Sequence, residues 1–156
     1  MDNYIFQSPI GLLEICEENG SIIKVSLKQD GINAVPSKDY TRHSDVLYEA
    51  YTQLNEYFTG KRSVFDLHIS LNGTLFQKKV WKELQNIPYG ETRSYESIAC
   101  GIGNKKAVRA VGHANGKNPI LIIVPCHRVI NKNGKLGGFA CGIEVKKFLL
   151  ELETRF

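Results

Sequence analysis

One of the four cysteines stands among residues that can change its reactivity. Cys126 follows Pro125 and is followed directly by His127 and Arg128. A cation or an imidazole beside a thiol favours the thiolate, which is the nucleophilic form of cysteine. Free cysteines are nevertheless more often buried as small apolar side chains. These neighbours by themselves leave two interpretations of Cys126 open, a nucleophile and a packing residue.

The element that positions this cysteine is predicted by the apolar run before it. Residues 120–124 read Ile-Leu-Ile-Ile-Val, which predicts a buried strand. Proline cannot donate a ladder hydrogen bond, so we expect this short active-site strand to end at Pro125 and to place Cys126 at its end. The other cysteines have no metal-binding spacing, and we expect free thiols and no metal site. They are Cys16, Cys100 and Cys141. A structural zinc site that brings Cys16, His43 and His68 together is the alternative, although nothing in their spacing favours it.

Charge divides the chain into two unlike halves. Residues 1–72 carry 6 Lys and Arg against 10 Asp and Glu, whereas residues 73–156 carry 14 against 6. The second half therefore has a net charge of +8, and no Asp occurs after Asp66. Such an asymmetry indicates a polyanionic partner, with nucleic acid the commonest candidate and an anionic membrane surface the next. A solvated basic surface is the alternative that charge alone leaves open.

Hydrophobic periodicity in the second half predicts a helix-turn-helix. A capping-box pattern at Thr74 and Gln77 begins a helix that runs to residue 87. A short helix capped by Thr92 or Ser94 is expected to run through residue 99, with a glycine turn at residues 101–103 and a further helix from 104 to 115. The last helix combines small and basic side chains, which suits either close packing in a core or approach to DNA.

The first half predicts a small antiparallel sheet with one helix. Asn19-Gly20 is a strong hairpin signal between two β-rich runs, and residues 45–58 have the spacing of an amphipathic helix. We place a domain boundary at Asn72-Gly73, giving domains 1–72 and 73–156. The predicted class is α+β, with a small N-terminal sheet and helix followed by a mainly helical domain. The two hairpin strands are expected at residues 12–16 and 22–27, and further strands at residues 4–7 and 65–71.

The sequence contains no targeting or membrane signal. Its start, MDNYIFQSPIG, lacks a basic segment leading into an apolar one, and its longest aliphatic run is far below the roughly 18 residues that a membrane span needs. We therefore expect a cytoplasmic protein with no membrane partner.

A set of motifs in the second half resembles one protein family. The string PCHRV at residues 125–129, the upstream Asn118-Pro119 and the Arg-bearing segment 109–112 closely resemble the O6-alkylguanine-DNA alkyltransferases, also called methylated-DNA-protein-cysteine methyltransferases. The resemblance covers about residues 74–153. The first half resembles the family's variable amino-terminal domain only in its general pattern, so its role stays unassigned.

The resemblance implies DNA repair by direct damage reversal. Cys126 would take the alkyl group from O6-alkylguanine, with O4-alkylthymine a second candidate substrate, in one irreversible displacement that needs no cofactor. His127 would remove the thiol proton and Glu153 would orient His127. Tyr95 would donate a hydrogen bond to the departing guanine, and Asn118 would act as a hinge beside the active-site strand. Each molecule would react once.

The resemblance also implies how damaged double-stranded DNA is bound. Arg109 would enter the base stack from the minor groove while the target nucleotide is flipped into the active site. We expect the protein to act as a monomer. The DNA-binding set implied is Tyr95, Lys105, Lys106, Ala107, Arg109 and Ala110, and the pocket set is Pro125, Val129, Phe139 and Ala140.

Three positions depart from the commoner family pattern. Phe139 and Cys141 stand where the family more often has Tyr and Gly, and His113 stands where Gly is frequent. We expect these departures to alter pocket width or groove fit while the core chemistry survives.

Three other functions compete with DNA repair. A Cys-His hydrolase would need separated partners and an oxyanion hole. A regulator or a non-catalytic alkylguanine-binding protein would explain the basic half but not the intact PCHRV string.

Overall fold

The computed structural model describes residues 1–28, 36–37 and 44–155 of the 156-residue chain. Its described residues divide into two compact units, Met1–Leu71 and Asn72–Phe156. A small antiparallel sheet in the first unit and a largely helical second unit confirm the predicted α+β class. None of the helices in the described part of the chain is both long and apolar enough to cross a membrane.

The first unit is built on a three-stranded sheet. Strands β1 (Asp2–Ser8), β2 (Gly11–Glu18) and β3 (Ser21–Leu27) pair antiparallel in the order β1-β2-β3. Asn19 and Gly20 form the two-residue turn between β2 and β3, with φ values of 53° and 82°. Both angles lie in the left-handed region that an Asn-Gly hairpin turn requires, which confirms the predicted hairpin.

One helix covers this sheet. Helix α1 (Asp45–Phe58) has the predicted bounds, and the Ser44 side chain caps it by accepting from the Leu47 amide at 3.2 Å. Its buried stripe packs on β2. The strand expected at residues 65–71 is wrong, because only Ile69 forms a parallel bridge, to Ile22.

The second unit is largely helical. The predicted capping box is confirmed: Thr74 and Gln77 exchange hydrogen bonds at the start of α2. That helix ends at Leu84 rather than at residue 87, and the Trp81 indole Nε1 donates to the Ala114 carbonyl at 2.8 Å. The helices of the unit are α2 (Leu75–Leu84), α3 (Tyr95–Gly101), α4 (Val108–Gly116) and α5 (Ile143–Arg155).

Helices α3 and α4 form the helix-turn-helix. Ser94 caps α3 by accepting from the Ser97 amide at 3.0 Å, and Gly103 in the turn has a φ of 79° that suits glycine. Helix α4 begins at Val108 and has no side-chain cap, so the predicted start at Asn104 is wrong. The amide of Ala107 donates to the Asn104 carbonyl in a separate turn, which comes before the helix.

Two very short strands join the start of α3 to the active-site segment. Strand β4 (Arg93–Ser94) pairs in parallel with β5 (Val129–Ile130). The active-site strand expected at residues 120–124 is wrong, because this segment forms tight turns and Cys126–Arg128 forms a single 3-10 turn. Continuous apolar character indicates burial alone, and within this segment only Ile120 is assigned to an isolated β-bridge in the described part of the chain.

Candidate active site

The segment before Cys126 is a buried turn that the Asn118 side chain spans. Its Nδ2 donates to the Val124 carbonyl at 2.7 Å, and its Oδ1 accepts from the Ile120 amide at 3.0 Å. Within this turn Ile122 has a φ of 70°, a conformation that is strained for a β-branched residue. Such strain persists only where surrounding contacts fix the backbone, and it clusters at functional sites.

Cys126 is buried, with 2% of its surface exposed. Burial raises the pKa of its thiol to about 11, while a hydrogen bond with the Asn118 side chain and the charge of Lys146 act in the opposite direction. The thiol is therefore protonated near neutral pH. A nucleophilic role requires a base that removes this proton during the reaction.

His127 follows Cys126 and contacts a buried carboxylate. Its Nε2 lies 2.6 Å from Glu153 Oε2. The Arg128 guanidinium forms hydrogen bonds to both oxygens of the same carboxylate, with Nε donating to Oε1 at 2.8 Å and Nη2 donating to Oε2 at 3.1 Å. The amide of Gly90 adds a donor to Oε1 at 3.2 Å, and Arg128 Nη1 donates to the Ile87 carbonyl at 2.8 Å. The carboxylate is thus fixed from several sides.

Protonation states follow from these contacts. Burial acts to raise the pKa of Glu153, but hydrogen bonds from His127 and Arg128 outweigh it and lower that pKa to about 2. Burial lowers the pKa of His127, so its ring is neutral at pH 7. Because Glu153 is ionised and can only accept, Nε2 of His127 carries the hydrogen and Nδ1 has a free lone pair. His127 can therefore take up a proton at Nδ1.

Tyr95 lies close to the cysteine and to the loop after β5. Burial and the nearby Cys126 raise the pKa of the Tyr95 phenol, which therefore stays a hydrogen-bond donor. A Cβ added at Gly137 would lie 3.3 Å from the Tyr95 hydroxyl oxygen, and Gly137 has a φ of 71°. The rings of Tyr95 and Phe139 have centroids 5.8 and 6.0 Å from Lys146 Nζ.

Lys146 connects the surroundings of Tyr95 and Phe139 to the backbone around them. It is fully buried, and Nζ donates to the carbonyls of Val129, Leu136 and Gly138. Burial lowers its pKa to about 8. One side chain thus ties β5 to two points of the following loop and places a positive charge near Cys126.

The residues expected in the pocket have unlike surroundings. Pro125 and Val129 are buried beside Cys126 in the chain, and Phe139 is half-buried against Lys146. Ala140 is exposed. The structure therefore groups Phe139 with Tyr95 through Lys146 and gives Ala140 no comparable contact.

The remaining cysteines are free thiols, as expected. Cys16 is buried, Cys100 is exposed and Cys141 is half-buried, and Cys141 is one of the groups that raise the pKa of Cys126. Within residues 1–28, 36–37 and 44–155, no three His, Cys, Asp or Glu side chains are grouped as a metal site requires.

Helix α4 has an exposed side and a buried side, and the DNA-contacting residues expected on this helix lie on the exposed side. Arg109 and Ala110 are exposed, as is His113. Lys105 and Lys106 are also exposed, but they lie in the turn before α4, so the expectation that they share a helix with Arg109 is wrong. Ala107 occupies the N-cap position and is half-buried, and the buried residues of α4 are Val111, Ala114 and Asn115.

Three buried polar residues of the site were not predicted from the sequence. Arg128 lies inside the PCHRV string, and its burial beside Glu153 gives it a partner that sequence spacing does not reveal. Lys146 lies on the buried face of α5 with Leu149 and Leu152. A lysine at a position that helical spacing assigns to an apolar face could have indicated a buried cation in the site. Asn115 offered no such signal beyond its place at the end of a helix.

Both parts of the chain match families of known proteins. Residues 75–155 match the family described as 6-O-methylguanine DNA methyltransferase, DNA binding domain. Residues 3–71 match the family described as 6-O-methylguanine DNA methyltransferase, ribonuclease-like domain.

Individual relatives are similar over nearly the full length. A methylated-DNA–protein-cysteine methyltransferase of Methanosarcina mazei is 49% identical over 151 residues, which is 96% of this chain and 95% of the relative. The constitutive methylated-DNA–protein-cysteine methyltransferase of Bacillus subtilis is 48% identical over 151 residues, covering 94% and 92% of the two chains. The crystal structure of Mycobacterium tuberculosis OGT in complex with DNA has a TM-score of 0.86 and 44% identity, covering 98% of this chain and 93% of that one.

Proposed function

Because this chain belongs to the 6-O-methylguanine DNA methyltransferase family and so repairs DNA by transferring an alkyl group to one of its own cysteines, we propose that Cys126 is the acceptor. The observation that supports this choice is the buried hydrogen bond between Glu153 and His127, the residue that directly follows the buried Cys126 in the chain. Among the four cysteines, Cys126 alone is followed by a histidine.

The reaction is a single displacement in which His127 is the general base. The thiol proton moves through a water to Nδ1 of His127, and the imidazolium that forms is stabilised by the ionised Glu153. The sulfur attacks the alkyl carbon on guanine O6, a carbon–sulfur bond forms and the carbon–oxygen bond breaks. Guanine leaves with the bonding electron pair and takes up one proton, which balances the thiol proton held by His127, and Cys126 is left as a thioether.

Tyr95 lowers the barrier to departure of the guanine. Charge develops on the purine ring only as the carbon–oxygen bond breaks, so a donor to a ring nitrogen stabilises the transition state more than the ground state. The raised pKa of Tyr95 keeps its hydroxyl protonated for this role. The partly buried position of Tyr95 near Cys126 supports the proposal.

The substrate is O6-alkylguanine in double-stranded DNA, reached by flipping the nucleotide out of the stack. Cys126 is 2% exposed, so a base inside a duplex cannot reach it without extrusion. The exposed Arg109 fills the gap that the flipped base leaves, while the small residues of α4 approach the minor groove. The carbon of the Cys126 thioether is a poor target for water, so the alkyl group stays on the protein and each molecule reacts once. We propose separately that the protein acts as a monomer.

Intact-protein mass spectrometry tests this proposal. One equivalent of duplex DNA containing O6-methylguanine is expected to add one methyl group, which peptide mapping assigns to Cys126. The variant Cys126→Ala is expected to bind the same DNA without gaining mass. A methyl group on Cys16, Cys100 or Cys141 in the wild-type protein, or turnover beyond one equivalent, contradicts the proposal.

A further inference from the structure

The residue that carries a further inference is Asn115, at the end of α4. Its side chain is buried, with 4% of the residue exposed, and its Nδ2 donates to the backbone carbonyl of Cys126 at 3.2 Å. The neighbouring Ala114 is held by Trp81, whose indole donates to its carbonyl at 2.8 Å. The end of α4 is therefore fixed on one side and bonded to the nucleophile's own backbone on the other.

Two buried side-chain polar atoms have no hydrogen-bond partner among the described residues; one belongs to the residue that bonds to the Cys126 carbonyl, and the other to the residue that follows Cys126. They are Asn115 Oδ1 and His127 Nδ1. Buried polar atoms are nearly always satisfied, and an ordered water with two to four polar partners is the usual means. Asn115 Oδ1 is an acceptor, and His127 Nδ1 is also an acceptor while Nε2 donates to Glu153. These two atoms cannot bond to each other, but one water can donate to both.

We propose that Asn115 is a positioning residue for alkyl transfer, whose Nδ2 fixes the Cys126 carbonyl and whose Oδ1 orients the water that carries the thiol proton to His127. This inference rests on the proposed function and adds a residue that the reaction scheme above does not contain. With one O–H directed to Asn115 and the other to His127, the water presents a lone pair to the thiol.

The proton balance of this step is complete. The water gives its proton to His127 Nδ1 and receives the thiol proton from Cys126 in the same movement, so it ends unchanged. His127 becomes an imidazolium whose Nδ1–H now donates to the water oxygen, and the water donates to the thiolate and to Asn115. Asn115 is never protonated, and it touches no atom of the substrate.

Two substitutions separate the roles of the two ends of the amide. Asn115→Leu removes both donor and acceptor, and Asn115→Asp keeps an acceptor oxygen while losing the donor. Val111→Ala is the matched control, because Val111 is a fully buried residue of the same helix and makes no polar contact through its side chain. Single-turnover rates are measured on duplex DNA containing O6-methylguanine and on the free base O6-methylguanine, together with the thermal unfolding midpoint.

We expect Asn115→Leu to slow transfer about tenfold on both substrates, because one hydrogen bond of ordinary strength is worth about that factor. Asn115→Asp should recover part of the rate, and the solvent isotope effect should differ between Asn115→Leu and the wild-type protein. Val111→Ala should lower the unfolding midpoint and keep the wild-type rate.

Three results overturn the inference. They are an unchanged rate in a folded Asn115→Leu protein, equal rates for the Leu and Asp variants, and rate losses that follow the unfolding midpoint equally in Val111→Ala and Asn115→Leu. Failure of the proposed function itself is distinguishable, because the wild-type protein would then gain no methyl group on Cys126.

Discussion

Replacing Glu153 by Gln should reduce the loss of stability that the second unit shows below pH 4.5. The pKa of Glu153 is lowered from 4.5 to about 2 by His127 and Arg128, against the effect of burial. A carboxyl whose folded pKa is depressed stabilises the fold above its unfolded pKa, and this stability is lost as pH falls from about 4.5 to about 2. At about 1.4 kcal/mol per pH unit, the contribution at neutral pH is about 3 kcal/mol.

The substitution should also cost stability at pH 7. Arg128 is 6% exposed, and without the carboxylate its charge is left buried beside a neutral amide. Breaking a buried ion pair in this way lowers the free energy of unfolding by about 3 to 5 kcal/mol. His127 loses stabilisation of its protonated form, so the rate of alkyl transfer should fall as well.

Fluorescence of Trp81 is the assay, because it is the single tryptophan and is 2% exposed. Urea unfolding followed at several pH values between 7 and 2.5 gives the unfolding free energy of the surroundings of Trp81. Glu91→Gln is the matched control, since Glu91 pairs with Arg93 at 3.1 Å in an exposed ion pair that contributes little.

The wild-type protein and Glu91→Gln should lose stability in parallel as the pH falls. Glu153→Gln should be less stable at pH 7 and should depend much less on pH below 4.5. His127 changes the stability of the fold in the same direction as Glu153. Because its pKa is lowered in the folded state, the fold loses stability as pH falls below 6.5. An equal slope in Glu153→Gln and the wild-type protein below pH 4.5 would refute the reasoning about this carboxylate.

Three further variants test other parts of the site. Arg109→Ala should slow transfer from duplex DNA much more than transfer from free alkylguanine base, and equal losses in the two rate assays would assign Arg109 to folding or to the pocket. Replacing Lys105 and Lys106 by Gln should lower the slope of log affinity against log salt by about two in a binding titration, whereas an unchanged slope would mean that they do not contact phosphates. Lys146→Met should lower the unfolding free energy by about 3 kcal/mol in urea, because three carbonyls lose a buried donor; a loss below about 1 kcal/mol would show that these bonds are not needed.

Local chemistry was enough to predict much of the fold. The Asn19-Gly20 hairpin, the capping box at Thr74 and the bounds of α1 depend on backbone angles and hydrogen bonds among residues close in sequence. The string around Cys126 identified the family for the same reason, since its members are adjacent in the chain.

Other features depend on contacts between distant residues, which sequence spacing does not reveal. Residues 120–124 form a turn because Asn118 satisfies the backbone at both its ends, and an apolar run alone indicated only burial. Helix α5 was not predicted, although it carries both Lys146 and Glu153 into the site.

The sequence by itself determined which residue types are present and which of them are neighbours in the chain. The tertiary structure decided which of them meet. Glu153 lies 26 residues from His127, and Asn115 lies 11 residues from Cys126, yet each pair is joined by a buried hydrogen bond. Burial in turn raised the pKa of Cys126 and lowered that of His127, because a charge removed from water is costly. The reactivity of the site therefore depends on packing that no local pattern encodes.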